Sequence, residues 1–215
     1  MDHKRIVEQG YDQIAERYAA VAARERSDER ARYTDLIARS LPDGAGVLEL
    51  GCGVGGPATR ALSARFALTG VDLSAHSVEL ARANVPNATF LHADMTALEF
   101  EPGRFDAVVA FFSIIHVPRE EQPGLLAQIA RWLRPGGLFV ATMGARATED
   151  GYEEDWLGAP MYWSHFDAET NQRLVEEAGL VIESATLEMA DEDGAPVTFL
   201  WIVARKPAFQ GDATQ

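Results

Sequence analysis

The first 43 residues carry apolar side chains at a helical period, and a different period begins after them. The apolar positions recur three and four residues apart, at Tyr11, Ile14, Tyr18 and Val21. This spacing predicts an amphipathic surface helix with two phenol rings on its apolar face. A second helix is predicted from about residue 28 to residue 40, and Pro42 and Gly44 then break the chain.

From residue 46 to residue 143, short apolar runs alternate with helical patterns. The apolar runs are bounded by Gly, Pro or Asn and cover residues 47–50, 67–71, 89–91, 105–112 and 138–143. The helical patterns lie between them, at residues 57–65, 76–85 and 120–133. Strands that alternate with helices form right-handed βαβ units and a mostly parallel sheet with helices on both faces. The sequence therefore predicts an α/β core.

The pattern changes again near the C-terminus. A helix is predicted over residues 167–178 with Gly179 after it as C-cap, and two strands follow. Residues 191–196 between these strands are too few for a crossover helix, so the strands must be antiparallel. Residues 197–204 carry no charge, whereas residues 180–190 contain two glutamates, so we expect the last strand to be interior. The predicted fold is a Rossmann-like, mostly parallel seven-stranded sheet with one antiparallel strand.

An acidic composition limits the partners of the chain. Its 33 acidic and 19 basic residues give a formal net charge of −14. Nucleic-acid surfaces need clustered Lys and Arg, so we expect no nucleic-acid partner. No apolar run is long enough to span a membrane and no signal-peptide pattern is present, which predicts a cytoplasmic protein without a membrane partner. The single cysteine, Cys52, can form neither an internal disulfide nor a cysteine-based metal cage.

A glycine-rich turn connects the first predicted strand of the core to the first helix. The strand VLEL runs into GCGVGG (residues 51–56), and Pro57 then begins the helix. Such a turn lets the backbone approach a ligand, and nicotinamide- and flavin-binding folds share it. Glu49 distinguishes a dinucleotide from a cationic ligand, because a carboxylate is poorly placed beside a pyrophosphate but can bind a cation. S-adenosylmethionine carries a sulfonium and an ammonium, so Glu49 favours this cofactor.

Acidic residues follow the second and third predicted strands. Asp72 ends the second strand in GVDLS, where a carboxylate can accept hydrogen bonds from both ribose hydroxyls. Asp94 follows the third strand in HADM and offers a carboxylate to an adenine amino group, while Met95 offers a thioether to the ring face. These three residues predict a nucleoside site.

Five motifs occur in order along residues 46–143: VLELGCGVGG, GVDLS, HADM, FDAVVAFFSIIHVPRE and LRPGGLFVATM. In this order they resemble the motifs of class I S-adenosylmethionine-dependent methyltransferases. The antiparallel C-terminal hairpin also resembles the last two strands of that family. By pattern the chain is most similar to the small-molecule branch, methyltransferase type 11, which includes ubiquinone- and menaquinone-type enzymes. The resemblance implies transfer of a methyl group from S-adenosylmethionine to a small molecule by in-line displacement.

The resemblance also implies which residues bind the cofactor. It assigns the amino-acid part to Gly51 and Gly53, the ribose to Asp72, the adenine to Leu73, Asp94 and Met95, and the neighbourhood of the sulfonium to Phe111. In related enzymes an N-terminal segment similar to YDQIAERYA closes over the methionine part. Tyr11 and Tyr18 are therefore candidate lid residues. Metal-dependent catechol-type relatives hold magnesium with an Asp and an Asp-Asn pair, which we do not find beside the fourth-strand motif, so we expect no metal.

Two histidines are candidate catalytic or substrate-contacting residues. Methyl transfer from a sulfonium needs alignment and exclusion of water, and a hydroxyl acceptor also needs a base, which an imidazole commonly supplies. His116 follows the fourth strand, and His165 lies in the long segment after the fifth. Each can instead be a structural histidine with satisfied hydrogen bonds.

The segment 144–166 is long for a loop between a strand and a helix, and it is rich in aromatic residues. We expect it to roof an acceptor pocket, with Met161, Tyr162 and Trp163 as candidate substrate-binding residues. The alternative is a flap that covers the sheet edge with ordinary core anchors. An aromatic pocket favours a planar or apolar acceptor.

Two other functions fit part of the pattern. An NAD(P)-dependent reductase shares the glycine turn and the acid after the second strand, but it does not explain Glu49. A non-catalytic S-adenosylmethionine-binding protein would keep the cofactor residues and lack an acceptor cavity.

The length of 215 residues fits a single methyltransferase domain. Its expected parts are a helical lid (1–43), a cofactor-binding core (46–143), a substrate roof (144–166), and a C-terminal helix and hairpin (167–206).

Overall fold

The structure is a computed structural model that describes residues 2–25, 27–192 and 195–208. Two helices come first, α1 (His3–Glu25) and α2 (Ser27–Ser40). The alternating core follows, with β1 (Gly46–Leu50), α3 (Pro57–Ser63), β2 (Ala67–Asp72), α4 (Ala75–Asn84), β3 (Thr89–His92), β4 (Phe105–Ala110), α5 (Gln122–Trp132) and β5 (Leu133–Gly144). The remaining elements are β6 (Thr148–Trp156), β7 (Ala159–His165), α6 (Ala168–Glu177), β8 (Val181–Glu192) and β9 (Ala195–Arg205).

The main sheet has seven strands in the order β3-β2-β1-β4-β5-β9-β8. Strands β1 to β5 pair in parallel, with Val47 of β1 opposite both Leu68 of β2 and Ala107 of β4. The chain proceeds to one side of β1 through β2 and β3, and to the other side through β4 and β5. In sheets of this kind the ligand crevice lies at the C-terminal ends of the strands where the order reverses. The topology therefore places the site after β1 and β4.

The antiparallel strand is β9, which lies between β5 and β8. The prediction that the last strand is interior and its predecessor forms the edge is confirmed. The reason is visible in burial, because residues 199–204 of β9 are all buried whereas Leu187 and Met189 on β8 are mostly exposed. The helix before them is followed by Gly179 with φ 88°, as its C-cap role requires. Of the predicted turn at 191–196, Asp193 and Gly194 lie outside the described residues.

The segment 144–166 differs from the expected loop. It forms an antiparallel hairpin, β6-β7, which is a separate two-stranded sheet. The hairpin turns at Leu157 and Gly158, both at positive φ. Strand β6 was not predicted because its sequence, TEDGYEEDW, is mostly acidic and exposed and has no apolar alternation. Its partner β7 packs against α1, which leaves no room for a side chain at Gly10 beside Pro160 and Met161.

The fourth strand is shorter than predicted, because it ends at Ala110 rather than at residue 112. Phe112 has φ 55°, a conformation that L-residues other than Asn and Asp rarely adopt, and the chain turns there. The turn brings Phe112 and the following His116 to the sheet edge where the crevice opens. Within the described ranges, no helix combines the length and apolar character needed to cross a membrane.

Candidate functional site

Two cavities open at the C-terminal edge of the sheet. The glycine-turn cavity has a volume of about 410 Å³, and its walls include Gly51, Gly53, Asp72, Asp94 and Phe111. The hairpin cavity has a volume of about 440 Å³, and its walls include Gly144, Trp156, Trp163, His165 and Phe199. Four residues line both cavities: Tyr11, Tyr18, Phe112 and His116. The two cavities therefore meet under α1 at a shared aromatic wall.

The glycine turn after β1 has left-handed backbone conformations that favour glycine, with φ 76° at Gly51 and 52° at Gly53. A Cβ at Gly51 would overlap the side chain of Ser113, which donates a hydrogen bond to the Leu50 carbonyl at 2.7 Å. The Gly53 N–H donates to the Asp72 carboxylate at 2.8 Å. The turn is thus held between the ends of β2 and β4, with its backbone along the cavity.

Glu49 is a buried carboxylate in the wall of the glycine-turn cavity. Its Oε1 accepts a hydrogen bond from Thr59 at 3.1 Å, whereas its Oε2 has no hydrogen-bond partner among the described residues. Burial raises the pKa of Glu49 to about 8, although Thr59 and the charge of Arg30 lower it in part. An unsatisfied buried carboxylate oxygen is costly, and a ligand ammonium would satisfy it.

Asp72 is held by two backbone N–H groups. Its oxygens accept hydrogen bonds from Gly53 at 2.8 Å and from Ser74 at 2.9 Å. Burial raises the pKa of Asp72, and these hydrogen bonds lower it in part. Each carboxylate oxygen can accept a second hydrogen bond, so a fixed Asp72 keeps the capacity to bind hydroxyl groups. The cap of the following helix is Ser74, whose side chain accepts a hydrogen bond from the Ser77 N–H.

Asp94 has a partner that the sequence did not suggest. Lys4, in the first turn of α1, lies 2.7 Å from the Asp94 carboxylate and also contacts Glu121. Burial raises the pKa of Asp94, but the hydrogen bonds from Lys4 and Thr96 outweigh it, and the net shift is downward. Asp94 therefore carries a negative charge, which the Lys4 ammonium on α1 compensates in part.

One face of α1 covers the glycine-turn cavity along its length. The residues of this face are spaced three and four apart, as in the predicted helix: Lys4, Val7, Tyr11, Ala15, Tyr18 and Ala22. The opposite walls include Leu73, Met95 and Phe111, which the sequence assigned to the cofactor. The geometry thus brings the lid candidates and the cofactor candidates around one cavity.

Arg30 is a further cationic residue in the wall of this cavity, and sequence reasoning missed it. Its guanidinium lies 4.7 Å from the centroid of the Phe112 ring and donates to the Tyr18 hydroxyl at 3.2 Å. Arg32, on the same helix, pairs with Glu188 on β8. Both arginines lie on α2, but Arg30 contacts Phe112 in the turn after β4 and Arg32 contacts β8.

His116 lies at the junction of the two cavities with both ring nitrogens engaged. Its Nδ1 lies 2.7 Å from the Tyr162 carbonyl, which can only accept, so Nδ1 carries the proton. Its Nε2 then accepts a hydrogen bond from the Tyr11 hydroxyl at 2.9 Å. Burial lowers the pKa of His116 to about 4, although the bond to Tyr162 opposes the shift. The imidazole is neutral at neutral pH.

His165 lines only the hairpin cavity. Its Nδ1 donates to the Arg146 carbonyl at 2.6 Å, which leaves Nε2 without a proton in the neutral ring. Burial lowers the pKa of His165, and hydrogen bonds to the backbone carbonyls of Arg146 and Phe166 oppose this shift. A neutral imidazole in a cavity wall can accept a proton.

Of the three candidate substrate-binding residues on β7, Trp163 lines the hairpin cavity, whereas Met161 and Tyr162 line neither of these two cavities. Met161 and Tyr162 belong instead to a buried cluster under α1 with Val7 and Ile14, and we correct their assignment. The Tyr162 ring stacks on His3 at 4.1 Å between centroids. The sequence suggested a loop over one pocket, whereas β7 packs against α1, with the Met161 side chain beside Gly10.

An α/β sheet of this order, with a glycine turn after β1 and acidic residues after β2 and β3, defines a nucleoside-binding enzyme fold. Residues 47–137 match a family model described as a methyltransferase domain. Together with the curated methyltransferase relatives, this match shows that residues 47–137 belong to the class I S-adenosylmethionine-dependent methyltransferase family. S-adenosylmethionine is the cofactor of this family, which confirms the prediction made from the motifs.

Curated relatives have varied acceptors. The chain is 34% identical over 171 residues to 27-O-demethylrifamycin SV methyltransferase of Amycolatopsis mediterranei, with 72% of this chain and 61% of that protein covered. It is 29% identical over 188 residues to arsenite methyltransferase of Aquipseudomonas alcaligenes, with 73% and 54% covered. The chain thus spans little more than half the length of these relatives.

Solved structures share the fold. One is 1,6-didemethyltoxoflavin-N1-methyltransferase of Burkholderia thailandensis, with its substrate and S-adenosylhomocysteine bound. The TM-score is 0.71 at 18% identity, with 94% of this chain and 88% of that chain covered. At this identity the likeness concerns the fold, and it confirms the predicted Rossmann-like architecture.

Proposed function

We propose that this protein transfers the methyl group of S-adenosylmethionine to a small molecule bound in the hairpin cavity. The observation that carries the proposal is the junction of the two cavities at Tyr11, Tyr18, Phe112 and His116. A methyl transferase must hold two ligands end to end, with water excluded from the point where they meet. A shared aromatic wall under a lid helix suits this requirement.

The residues of the glycine-turn cavity fit S-adenosylmethionine. The unpartnered Glu49 oxygen would accept from the ammonium, and Arg30, which lies in the same wall, would bind the carboxylate. Asp72 would accept from the ribose hydroxyls, and Asp94 from the adenine amino group. When bound, the cofactor supplies an electrophilic methyl group on a sulfonium.

The chain's own residues align the acceptor and handle its proton. Trp156 and Trp163, in T-shaped contact at 5.3 Å between centroids, offer aromatic faces to a planar acceptor. His165 is our candidate general base, because its neutral ring lies in the acceptor cavity and its Nδ1 is fixed by the Arg146 carbonyl. No covalent intermediate is needed. Among the described residues, no group of three or more His, Cys, Asp or Glu side chains is arranged to hold a metal ion.

Both alternative functions are less well supported. A nicotinamide-dependent reductase gives no role to the buried Glu49 carboxylate, and the comparisons do not favour it. A non-catalytic binding protein would need no second cavity, whereas the hairpin cavity adjoins the glycine-turn cavity here. The cytoplasmic location and the absence of a nucleic-acid partner stay predictions from composition, as does the single-domain organisation.

Ligand-dependent thermal stabilisation tests the proposed cofactor, since a ligand that binds the native state raises its stability by mass action. We expect S-adenosylmethionine and S-adenosylhomocysteine to raise the melting temperature and NADPH to leave it unchanged. The reaction is tested by incubating the protein with S-adenosylmethionine and phenols, quinones, amines or thiols, and by measuring S-adenosylhomocysteine. Stabilisation without turnover on any acceptor class would favour the binding protein, and stabilisation by NADPH alone would favour the reductase.

A further inference from the structure

Two hydrogen bonds connect the lid helix to the hairpin through one imidazole. The Tyr11 hydroxyl of α1 donates to Nε2 of His116 at 2.9 Å, and Nδ1 of His116 donates to the Tyr162 carbonyl of β7 at 2.7 Å. The imidazole belongs to the 3-10 turn Ile114–His116 after β4. Three separate segments of the chain therefore meet at this residue, where the two cavities join.

The direction of both hydrogen bonds is fixed by chemistry. A carbonyl cannot donate, so the proton on Nδ1 is committed to Tyr162. The unprotonated Nε2 can only accept, so the single hydroxyl proton of Tyr11 points to His116. Toward a substrate, the Tyr11 oxygen can then act only as an acceptor. For His116 to act as a base, its Nε2 would first have to release the Tyr11 hydroxyl.

We infer that His116 is a positioning residue, which latches the Tyr11 hydroxyl of the lid helix to the hairpin and so completes the aromatic wall that both cavities share. This inference rests on the proposed function and gives His116 a role other than general base. Aromatic contacts support the latch, because the Tyr11 ring lies 5.4 Å from the His116 ring and 6.1 Å from the Trp156 ring between centroids. The position of α1 and the shape of the acceptor cavity are thus coupled through His116.

A comparison of substitutions separates a latch from a base. His116→Gln supplies an amide that can accept from Tyr11 but has no basic nitrogen, and His116→Leu supplies neither. We expect His116→Gln to keep turnover within about threefold of wild type, because one neutral hydrogen bond is conserved. His116→Leu and Tyr11→Phe should each raise the KM of the acceptor about tenfold, the scale of one lost hydrogen bond, with a smaller effect on kcat.

The double variant Tyr11→Phe/His116→Leu completes the test. Both changes remove the same hydrogen bond, so the double variant should be no more than about twofold worse than the worse single variant. Tyr152→Phe is the matched control, since Tyr152 is exposed on β6 and lines neither cavity. Melting temperatures check that each variant is folded.

A readout without turnover is hydrogen exchange of the α1 amides with S-adenosylhomocysteine bound. Tyr11→Phe and His116→Leu should each speed exchange in α1, whereas His116→Gln and Tyr152→Phe should not. The inference is overturned if His116→Gln loses about 10²–10⁴-fold in kcat while Tyr11→Phe stays near wild type, the result expected for a general base. Failure of the proposed function is distinguishable, because wild-type protein would then neither bind S-adenosylhomocysteine nor turn over.

Discussion

The glycine-turn cavity and the hairpin cavity adjoin each other, but they are built in different ways. Beneath the helices α1 and α2 that cover it, the first is formed by short motifs that each lie at the end of a strand, and contacts among these motifs, such as Gly53 with Asp72, join neighbouring parallel strands. The second is formed by the hairpin β6-β7, by α1 and by the first residues of β9, which are distant in the chain. The cofactor side is thus encoded locally, and the acceptor side depends on tertiary packing.

The largest expected effect is on the acceptor side. If His165 is the base for a hydroxyl acceptor, His165→Gln should lower turnover by roughly 10²–10⁴-fold and leave S-adenosylhomocysteine affinity unchanged. Because the pKa of His165 is lowered, the acidic limb of the wild-type rate profile should lie below the usual histidine range. His76→Gln is the control, since His76 is on α4 and lines neither cavity. Near-normal turnover of His165→Gln would indicate an acceptor that is already nucleophilic, such as an amine, a thiolate or an ionised phenol.

The next effect is on the cofactor side. Asp72→Ala should weaken S-adenosylhomocysteine binding by about 1.5–3 kcal/mol, the scale of lost charge-assisted hydrogen bonds, as measured by calorimetry. Asp72→Asn keeps an acceptor for one of the two backbone N–H groups and should bind with intermediate affinity. Asp43→Ala, at an exposed carboxylate that pairs with Arg65, should bind like wild type. Equal affinity of Asp72→Ala and wild type would show that Asp72 does not bind the cofactor.

Two glycine-to-alanine substitutions test whether the backbone conformation of the glycine turn requires glycine. Gly51→Ala should destabilise the fold by roughly 1–3 kcal/mol, because φ is 76° and the new Cβ would overlap Ser113. Gly124→Ala, inside α5 with open space around it, should instead be neutral or stabilise by about 0.5 kcal/mol. Chemical denaturation measures both. Similar destabilisation of the two variants would mean that the strained turn is not what Gly51 provides.

The smallest expected effect is that of a chelator. We expect activity to be unchanged after treatment with EDTA, because in-line transfer from a sulfonium leaves a neutral thioether and needs no Lewis acid. Loss of turnover that magnesium restores would show that the acceptor side binds a metal together with its substrate.

The same contrast explains how much the sequence revealed. The alternating core, the interior antiparallel strand and the lid helix followed from periodicity and turn residues, which are local signals. The hairpin β6-β7 did not, because acidic β6 has no apolar alternation and is held by its pairing with β7. Met161 and Tyr162 were assigned to the pocket because the sequence does not show that β7 packs against α1, where both side chains are buried.

Two cationic residues of the cofactor side were also missed, and for a related reason. Lys4 reaches Asp94 across 90 positions of sequence, and Arg30 reaches the cavity only through the packing of α2. The helix face that contains Tyr11 and Tyr18 could have identified Lys4, because Lys4 lies on the same face of α1, one turn before Val7. No comparable pattern separates Arg30 from Arg32.

Calorimetric titration with S-adenosylhomocysteine tests the central claim, that the buried Glu49 carboxylate binds the ammonium of the cofactor. The free Glu49 has a pKa of about 8 and is mostly protonated at pH 7, and a bound ammonium favours its charged form. We predict binding with proton release, detected as a dependence of the heat on buffer ionisation. Glu49→Gln should bind roughly 10-fold to 100-fold more weakly and without that release. Equal affinity and equal proton release in both proteins would contradict the account.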